Sequence, residues 1–441
     1  MKPRPELPPG PYLVIGLARS GLAAALALRA RGQEVIGCDV GVPDEAGRLG
    51  EAGVEVHLGT PGGELVPRAR TVVKSPGVPR EAPAVRAARE RGLAVVGELE
   101  LAWRLIPNQF IAVTGTNGKT TTTELVGHVH REAGLPVAVA GNVGTPLSSL
   151  IGDLPADVTV ACEASSFQLE DTEAFAPEAA VLLNVAEDHL DRHGDLAAYT
   201  QAKLQAFARQ GNDDIAVASS DLDIEDLGGC ARRVCFGTRP EDDVSLRAGQ
   251  IWWADRPLLP VADISLRGAH NRLNAMAAAA VALARGAPPD AVATALRTFP
   301  GVAHRLEEVA ERDGVLYVND SKATNVASTL VALDSFAPAS VHLILGGRGK
   351  GGGYGGLAPA VAERCRAVYV IGEASDEIAR ALAQTGVPLE RSGDLEHAVA
   401  TARGRARRGE VVLLSPGCTS FDQYRDFEQR GEHFRALARE A

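Results

Sequence analysis

The chain is expected to fold as an α/β protein of three domains. The first and last are expected to be Rossmann-like, and the central one to carry a mostly parallel sheet. Three observations predict this. Short apolar runs alternate with Ala-rich helical stretches from end to end, the pattern of parallel strands joined by crossover helices. The 441 residues suit about three domains at roughly 150 residues each. Two Gly-rich turns, GLARSG (16–21) and GTNGKT (115–120), each sit between an apolar run and a helical stretch.

The elements follow in order. YLVIG (12–16) reads as the first strand, with the helix GLAAALALRARG after its turn, and EVIGCD (34–39) as the second strand. A further strand and helix run from TVVKSPG to Arg91. VVGELELAWRLIP (95–107) reads as a linking segment, and FIAVTG (110–115) starts a new unit. Pro-Gly within TFPGVAHR (298–305) breaks the alternation. Another unit starts near GVLYVND (314–320), and LILGG, AVYVIG and VVLLSPG supply its further strands. Boundaries at 97 and 301 give domains 1–97, 98–301 and 302–441.

Composition excludes several classes. Hydrophobic residues make up 45% and charged residues 23%, which suits a soluble globular chain with ample core. A net charge of -11 argues against a nucleic-acid partner. No apolar run is long enough for a membrane helix, and MKPRPELPPG lacks the apolar centre of a secretion signal. Six cysteines lie scattered with no CxxC pair, so neither a zinc site nor a disulfide framework is expected, and a reducing cytoplasm fits.

Lysine usage points to the chemistry. Lys+Arg total 45, yet only Lys2, Lys74, Lys119, Lys203, Lys322 and Lys350 are lysine. A surface that needs only charge accepts either residue, whereas a compact ammonium or a nucleophilic amine requires lysine. Four of the six stand in glycine- or acid-rich motifs: Lys119 in GTNGKT, Lys203 in AYTQAKLQAF, Lys322 in NDSKATN and Lys350 in GGRGKGGG.

FIAVTGTNGKTTTTELVGHVHREAG reads as strand, turn and helix, whose backbone N–H groups cradle phosphate oxygens. Gly115, Thr116, Asn117, Gly118, Lys119, Thr120 and Thr121 form this loop. Lys119 is placed to neutralise β- and γ-phosphates and Thr120 to hold Mg2+. Val113 stands where the full phosphate-loop pattern has its first glycine. No NKxD string accompanies it, which disfavours a GTPase.

DLAAYTQAKLQAFARQG (195–211) reads as one amphipathic helix, with Leu196, Tyr199, Lys203 and Phe207 on one face. Spacing alone favours a lysine that snorkels from the stripe edge to water. The alternative is a buried amine of lowered pKa that takes up carbon dioxide as a Mg2+-binding carbamate. Glu163 ends one strand, and Asp188 and His189 follow another. Glu163 and His189 are candidate Mg2+ ligands, at the strand ends where open α/β sheets bind ligands. GLARSG resembles GxGxxG, but Ala18 replaces the middle glycine and narrows the room for a pyrophosphate. Asp39 lies near the ribose-contact spacing.

GTNGKTTT, ASSFQLE, NVAEDHLDRH, the AKL lysine, GAHNRLNAMAA, PGVAHRLE, NDSKATN and SPGCTSFDQYRDFEQRG resemble, in order and over essentially the whole chain, the Mur ligases. The ends are most similar to the members that add D-glutamate. The resemblance implies a cytoplasmic, monomeric ligase of peptidoglycan precursor synthesis. Its substrates are ATP, UDP-N-acetylmuramoyl-L-alanine and D-glutamate, with two Mg2+ ions and an acyl-phosphate intermediate. It implies an N-terminal UDP-binding domain, a central P-loop ATPase-like domain and a C-terminal amino-acid domain that closes on ATP.

Residue by residue, the resemblance implies that Thr120 and Glu163 hold Mg2+. It turns Lys203 into a carbamate that holds a second Mg2+ with His189. Asn271, Arg305 and Asp320 resemble ATP contacts, and Lys322 lies at the reacting centre. Thr324, Lys350, Ser420 and Phe421 resemble the D-glutamate pocket. Arg19, Ser20, Asp39, Ser75, Gly77 and Asn142 match positions that hold uracil, ribose and diphosphate. A sister Mur ligase or a folylpolyglutamate synthase-like amide ligase is the alternative. About a hundred residues before the phosphate loop disfavour the synthase, and the absence of a DNPR string disfavours a diaminopimelate-adding relative. An NAD-dependent oxidoreductase or a bare nucleotide-binding module leaves the motif lysines unexplained.

Overall fold

The computed structural model describes residues 2–349, 351 and 353–440. The chain forms two compact units, Met1–Ile264 with Leu273–Phe299, and Ser265–Arg272 with Pro300–Ala441.

The first unit holds two sheets. A five-stranded parallel sheet has the spatial order Glu55–Leu58, Val35–Asp39, Tyr12–Ile15, Thr71–Lys74, Ala94–Gly97. Strand order reverses at Tyr12–Ile15, which opens a crevice at the carboxyl ends of Tyr12–Ile15 and Thr71–Lys74. The segment 95–107, expected as a link, begins as the edge strand Ala94–Gly97 and continues as the helix Glu98–Leu105. Its two valines pair with Val72 and Val73. The helix then buries Leu99, Ala102 and Trp103 in the same core as Phe110 and Phe175.

The second sheet has nine strands. Its order is Arg256–Pro260, Gln250–Trp253, Val244–Arg247, Arg232–Gly237, Ile215–Ser219, Ala179–Leu182, Phe110–Thr114, Thr159–Glu163, Val137–Gly141. The pairings from Arg232–Gly237 to Val137–Gly141 are parallel, while the far edge is an antiparallel meander. Phe110–Thr114 sits at the reversal of order, fully buried, and delivers the phosphate loop between Glu163 and Leu183.

The expected helix 195–211 is shorter. It runs Leu196–Leu204, opened by the Asp195 carboxylate accepting from the Ala198 N–H at 2.8 Å. Beyond Leu204 the backbone tightens, with Ala206 N–H donating to Lys203 O and Phe207 N–H to Leu204 O. Gln210 then ties this stretch to Pro177 O and Ile215 O. Leu196 points to solvent and leaves the apolar face to Tyr199, Lys203 and Phe207.

The second unit carries a six-stranded sheet ordered Glu307–Arg312, Val315–Asn319, Val411–Leu414, Val341–Gly346, Cys365–Ile371, Leu389–Gly393. All pairings but the first are parallel. The unit's first strand is Glu307–Arg312, before the expected start at 314. It forms a hairpin through Asp313 (φ 53°) and Gly314 (φ 77°), and an Asp-Gly pair suits two successive left-handed residues. Among the described residues no helix is long and apolar enough to cross a membrane.

Candidate active site

The phosphate loop is shaped from both flanks. Gly115 (φ 149°) and Gly118 (φ 85°) turn the chain, and a Cβ at Gly118 would collide with Asn274 Oδ1. Asn184, at the end of the neighbouring strand, clamps the turn. Its Oδ1 accepts from the Asn117 N–H at 2.8 Å, its Nδ2 donates to Asn117 O at 3.1 Å, and its carbonyl accepts from the Thr116 N–H at 3.0 Å. The helix Lys119–Glu132 then starts with no side-chain cap and no acid in its first turn. Its leading N–H groups and positive dipole end are thus disposed toward an anion. Thr120 and Thr121 are buried in that first turn.

Two amines meet on one carbonyl of this loop. Lys119 Nζ donates to Gly115 O and Thr116 O, both at 2.9 Å, and Lys203 Nζ donates to Gly115 O at 2.8 Å. Lys203 is 1% exposed, with its Nζ 4.1 Å from the centroid of the Tyr199 ring. It does not snorkel. Burial, with the Lys119 charge adding to it, lowers its pKa to about 6 against a weaker pull from Asp188. At neutral pH the amine is therefore largely uncharged and nucleophilic.

Glu163 ends its strand with its carboxylate accepting from Asn142 Nδ2 at 3.1 Å, while its carbonyl accepts from the Asn142 N–H. Ser165 begins the next short helix with a reciprocal cap shared with Gln168. His189 takes a left-handed backbone (φ 52°) ahead of the helix Leu190–His193. Its ring lies 4.8 Å from that of Phe167 and 6.5 Å from that of Tyr199, and Asp188 Oδ2 is 3.6 Å from its Nε2. Among the described residues no three His, Cys, Asp or Glu side chains converge on one point. A hydroxyl, a carboxylate and an imidazole spread around a phosphate loop still suit Mg2+, which keeps waters and substrate oxygens among its ligands.

The six nucleotide candidates come together. Arg19, Ser20, Asp39, Ser75, Gly77 and Asn142 all line one cavity of about 490 Å3 at the crevice of the five-stranded sheet. Asp39 shapes its floor by accepting from the Leu17 and Gly41 N–H groups at 2.6 and 2.7 Å. Ser75 Oγ donates to Gly16 O at 2.7 Å, tying the two loops of the crevice. Ala18 lines the cavity and precedes the helix Arg19–Ala30 without capping it.

The remaining candidates lie in the second unit. Asp320 follows the strand Val315–Asn319 and accepts from Ser415 Oγ at 2.8 Å and from the Leu306 N–H at 3.2 Å. Burial pushes its carboxyl up to about 7, against those hydrogen bonds and the Arg305 charge. Asn271 Nδ2 donates to Arg267 O at 2.7 Å. The Lys322 ammonium lies 5.1 Å from the Phe427 ring centroid, and the Thr324 N–H donates to Lys322 O. Ser420 is buried and Phe421 is 61% exposed. Lys350 lies outside the described residues.

Sequence reasoning missed Arg430, which ties these turns together. It is 1% exposed and donates to Ser321 Oγ, Ser321 O, Cys418 O and Thr419 O between 2.9 and 3.3 Å. It thereby fastens the Asp320–Thr324 turn to the turn that carries Ser420. Its place on the inner face of the amphipathic helix Phe427–Glu440, beside Phe434, was the available signal. Asn184 and the buried pair Lys74–Asp171 (2.7 Å) were also missed, because both depend on partners far away along the chain.

Three family models match in order: the MurD-like N-terminal domain of Mur ligases over residues 11–97, the Mur ligase middle domain over 113–282, and the Mur ligase glutamate ligase domain over 304–418. A UDP-N-acetylmuramoylalanine--D-glutamate ligase of Acidobacterium capsulatum is 42% identical, with 98% of this chain and 96% of that protein aligned. A protein of the same name from Pelotomaculum thermopropionicum is 42% identical, with 96% of each covered. Among solved structures, the UDP-N-acetylmuramate-alanine ligase MurC of Thermotoga maritima shares the fold with a TM-score of 0.65 at 20% identity, covering 98% of this chain and 99% of that one. MurF ligase of Thermotoga maritima, in complex with ADP, does so with a TM-score of 0.62 at 18% identity, covering 92% and 96%. With relatives at this identity along nearly the whole length and all three domain models in sequence, the chain belongs to the Mur ligase family.

Proposed function

We propose that this chain is an ATP-dependent amide ligase that adds D-glutamate to UDP-N-acetylmuramoyl-L-alanine, as a cytoplasmic monomer with domain boundaries at residues 97 and 301. The observation that carries the reading is the pairing, within one compact unit, of a phosphate loop bearing two amines with a separate cavity of about 490 Å3 lined by all six nucleotide candidates. Relatives named for this ligase activity support the choice of substrates.

A carboxylate is a poor electrophile, so the alanyl carboxylate is first phosphorylated by ATP, and ADP leaves. The amine of D-glutamate attacks the acyl phosphate, and the tetrahedral intermediate collapses with expulsion of phosphate. The phosphate loop and helix Lys119–Glu132 orient the triphosphate, and Lys119 offsets charge on the transferring phosphoryl group. Thr120 and Glu163 would hold one Mg2+, and His189 with carbamylated Lys203 a second. Mg2+, when bound, supplies further positive charge at the transferring phosphoryl group. Lys203 reaches its carbamate when its neutral amine adds carbon dioxide and releases a proton to solvent. Asn271, Arg305 and Asp320 bind ATP, Lys322 lies at the reacting centre, and Thr324, Lys350, Ser420 and Phe421 hold D-glutamate.

The test is phosphate release from ATP. It is expected only when UDP-N-acetylmuramoyl-L-alanine and D-glutamate are both present. Turnover with L-glutamate or meso-diaminopimelate in place of D-glutamate would overturn the reading.

A further inference from the structure

Lys74 stands outside the four motif lysines, and the proposed chemistry gives it no role. It ends the strand Thr71–Lys74 and is fully buried. Its ammonium sits 2.7 Å from Asp171 Oδ2 and donates to Val78 O at 2.8 Å. Asp171 belongs to the segment that follows Glu163 and the short helix Ser166–Leu169, and is itself 2% exposed at the side chain. Arg80 and Arg89 approach its other oxygen at 3.8 and 3.7 Å. The Val78 carbonyl is held a second time, by Arg192 Nη2 at 3.1 Å. Arg192 pairs with Glu170 at 3.3 Å, and its Cζ lies 4.2 Å from the centroid of the Phe167 ring, against which His189 packs.

Val78 is a wall of the nucleotide cavity, as are Ser75, Pro76 and Gly77. One carbonyl of that wall is therefore gripped by two cations. One is anchored through Asp171 to the Glu163 segment, and the other rides on the His189 segment. Burying an ion pair is expensive, and replacing one by apolar residues is often neutral for stability, so stability alone gives weak reason to keep it. Burial draws the Lys74 ammonium down from its ordinary value and the Asp171 charge opposes this, so the pair is retained against a desolvation cost.

We propose that Lys74, Asp171 and Arg192 form a latch that holds the Ser75–Val78 wall of the nucleotide cavity in register with the segments carrying Glu163 and His189. They are positioning residues for the UDP-linked substrate. The proposal rests on the reading of that cavity as the UDP site. The latch couples filling of the nucleotide cavity to the placement of the groups that handle the phosphoryl transfer. A loose latch lets the wall drift and weakens the UDP end of the substrate while leaving the phosphate loop intact.

The test uses the full chain, with UDP and ADP as calorimetric probes and KM measured separately for each substrate. Lys74→Met and Arg192→Met are each expected to weaken UDP binding at least tenfold, and to raise the KM of the UDP-linked substrate in step. ADP binding should stay within twofold. The double variant Lys74→Met with Asp171→Leu removes both buried charges and is expected to fold, yet to bind UDP as weakly as the single variant, because the grip on Val78 O is gone. Should Lys74→Met not fold, the double variant and the partly exposed Arg192→Met decide the matter. A folded variant that binds UDP as the wild type does, or that loses UDP and ADP equally, overturns the latch. Wild-type protein that binds no UDP overturns the reading of the cavity instead.

Discussion

At the scale of single residues, Lys203 and Asp320 show one force acting in opposite directions. Burial favours the neutral form of each, which lowers the amine to about 6 and raises the acid to about 7. For Lys203 the neutral amine is what carbon dioxide requires. Lys203→Arg puts a permanent positive charge there and cannot form a carbamate, so turnover is expected to fall on the order of 10²-fold or more, with circular dichroism unchanged. Wild-type enzyme stripped of carbon dioxide should regain activity on adding bicarbonate. That recovery should slow as pH drops through about 6, where the amine takes up a proton. Asp320 gives a stability prediction. Its folded pKa lies above its unfolded value of 3.8, so the native state holds a proton that the unfolded chain has released. That stabilisation is full below about pH 4 and is lost as pH rises through about 7. Asp320→Asn should therefore gain on the wild type by a few kcal/mol, to order of magnitude, between pH 5 and pH 8, read from denaturant midpoints.

At the scale of elements, the phosphate-loop helix depends on the glycine that starts it. Gly118 needs a left-handed backbone, and a side chain there would strike Asn274. Gly118→Ala is expected to cost about 1–2 kcal/mol from the backbone alone and to weaken ADP binding, checked by thermal melts with and without ADP. What the sequence could disclose follows from how local each cause is. The strand Phe110–Thr114, its turn and its helix carry their signals within neighbouring residues, as does the strand ending at Glu163. The edge strand Glu307–Arg312 is mostly charged and partly exposed, so it lacks an apolar run, whereas Ala94–Gly97 is short and leads straight into the helix Glu98–Leu105. The helix from Leu196 gives way after Leu204 to tighter turns, and Gln210 at their end is bound to Pro177 and Ile215, neighbours that no periodicity contains. Lys203 showed its helical face in the sequence but not its partner. Gly115 O lies 88 residues away along the chain, and only strand order brings it near. Arg430 and Lys74 read as ordinary basic residues until the turns they hold are in place.

At the scale of the whole molecule, two units with separate cores share one chain. The apolar clusters around Phe110 and around Tyr12 belong to the first unit, and those around Leu343 and Tyr369 to the second. Each unit has its own hydrophobic driving force, so heating is expected to give two calorimetric transitions rather than one. The nucleotide cavity and the phosphate loop both lie in the first unit, as every residue named for them does. A ligand that binds only folded protein stabilises it by about 2.7 kcal/mol at a hundred times its dissociation constant, and this acts on the unit that binds it. UDP at saturation should therefore raise the transition of the first unit by several degrees and leave the other in place. D-glutamate alone should leave the first-unit transition unmoved. A single transition that UDP shifts as a whole would mean that the units unfold together. Asp320→Asn separates these outcomes, because it should move only the transition of the second unit, and should move it more at pH 8 than at pH 5.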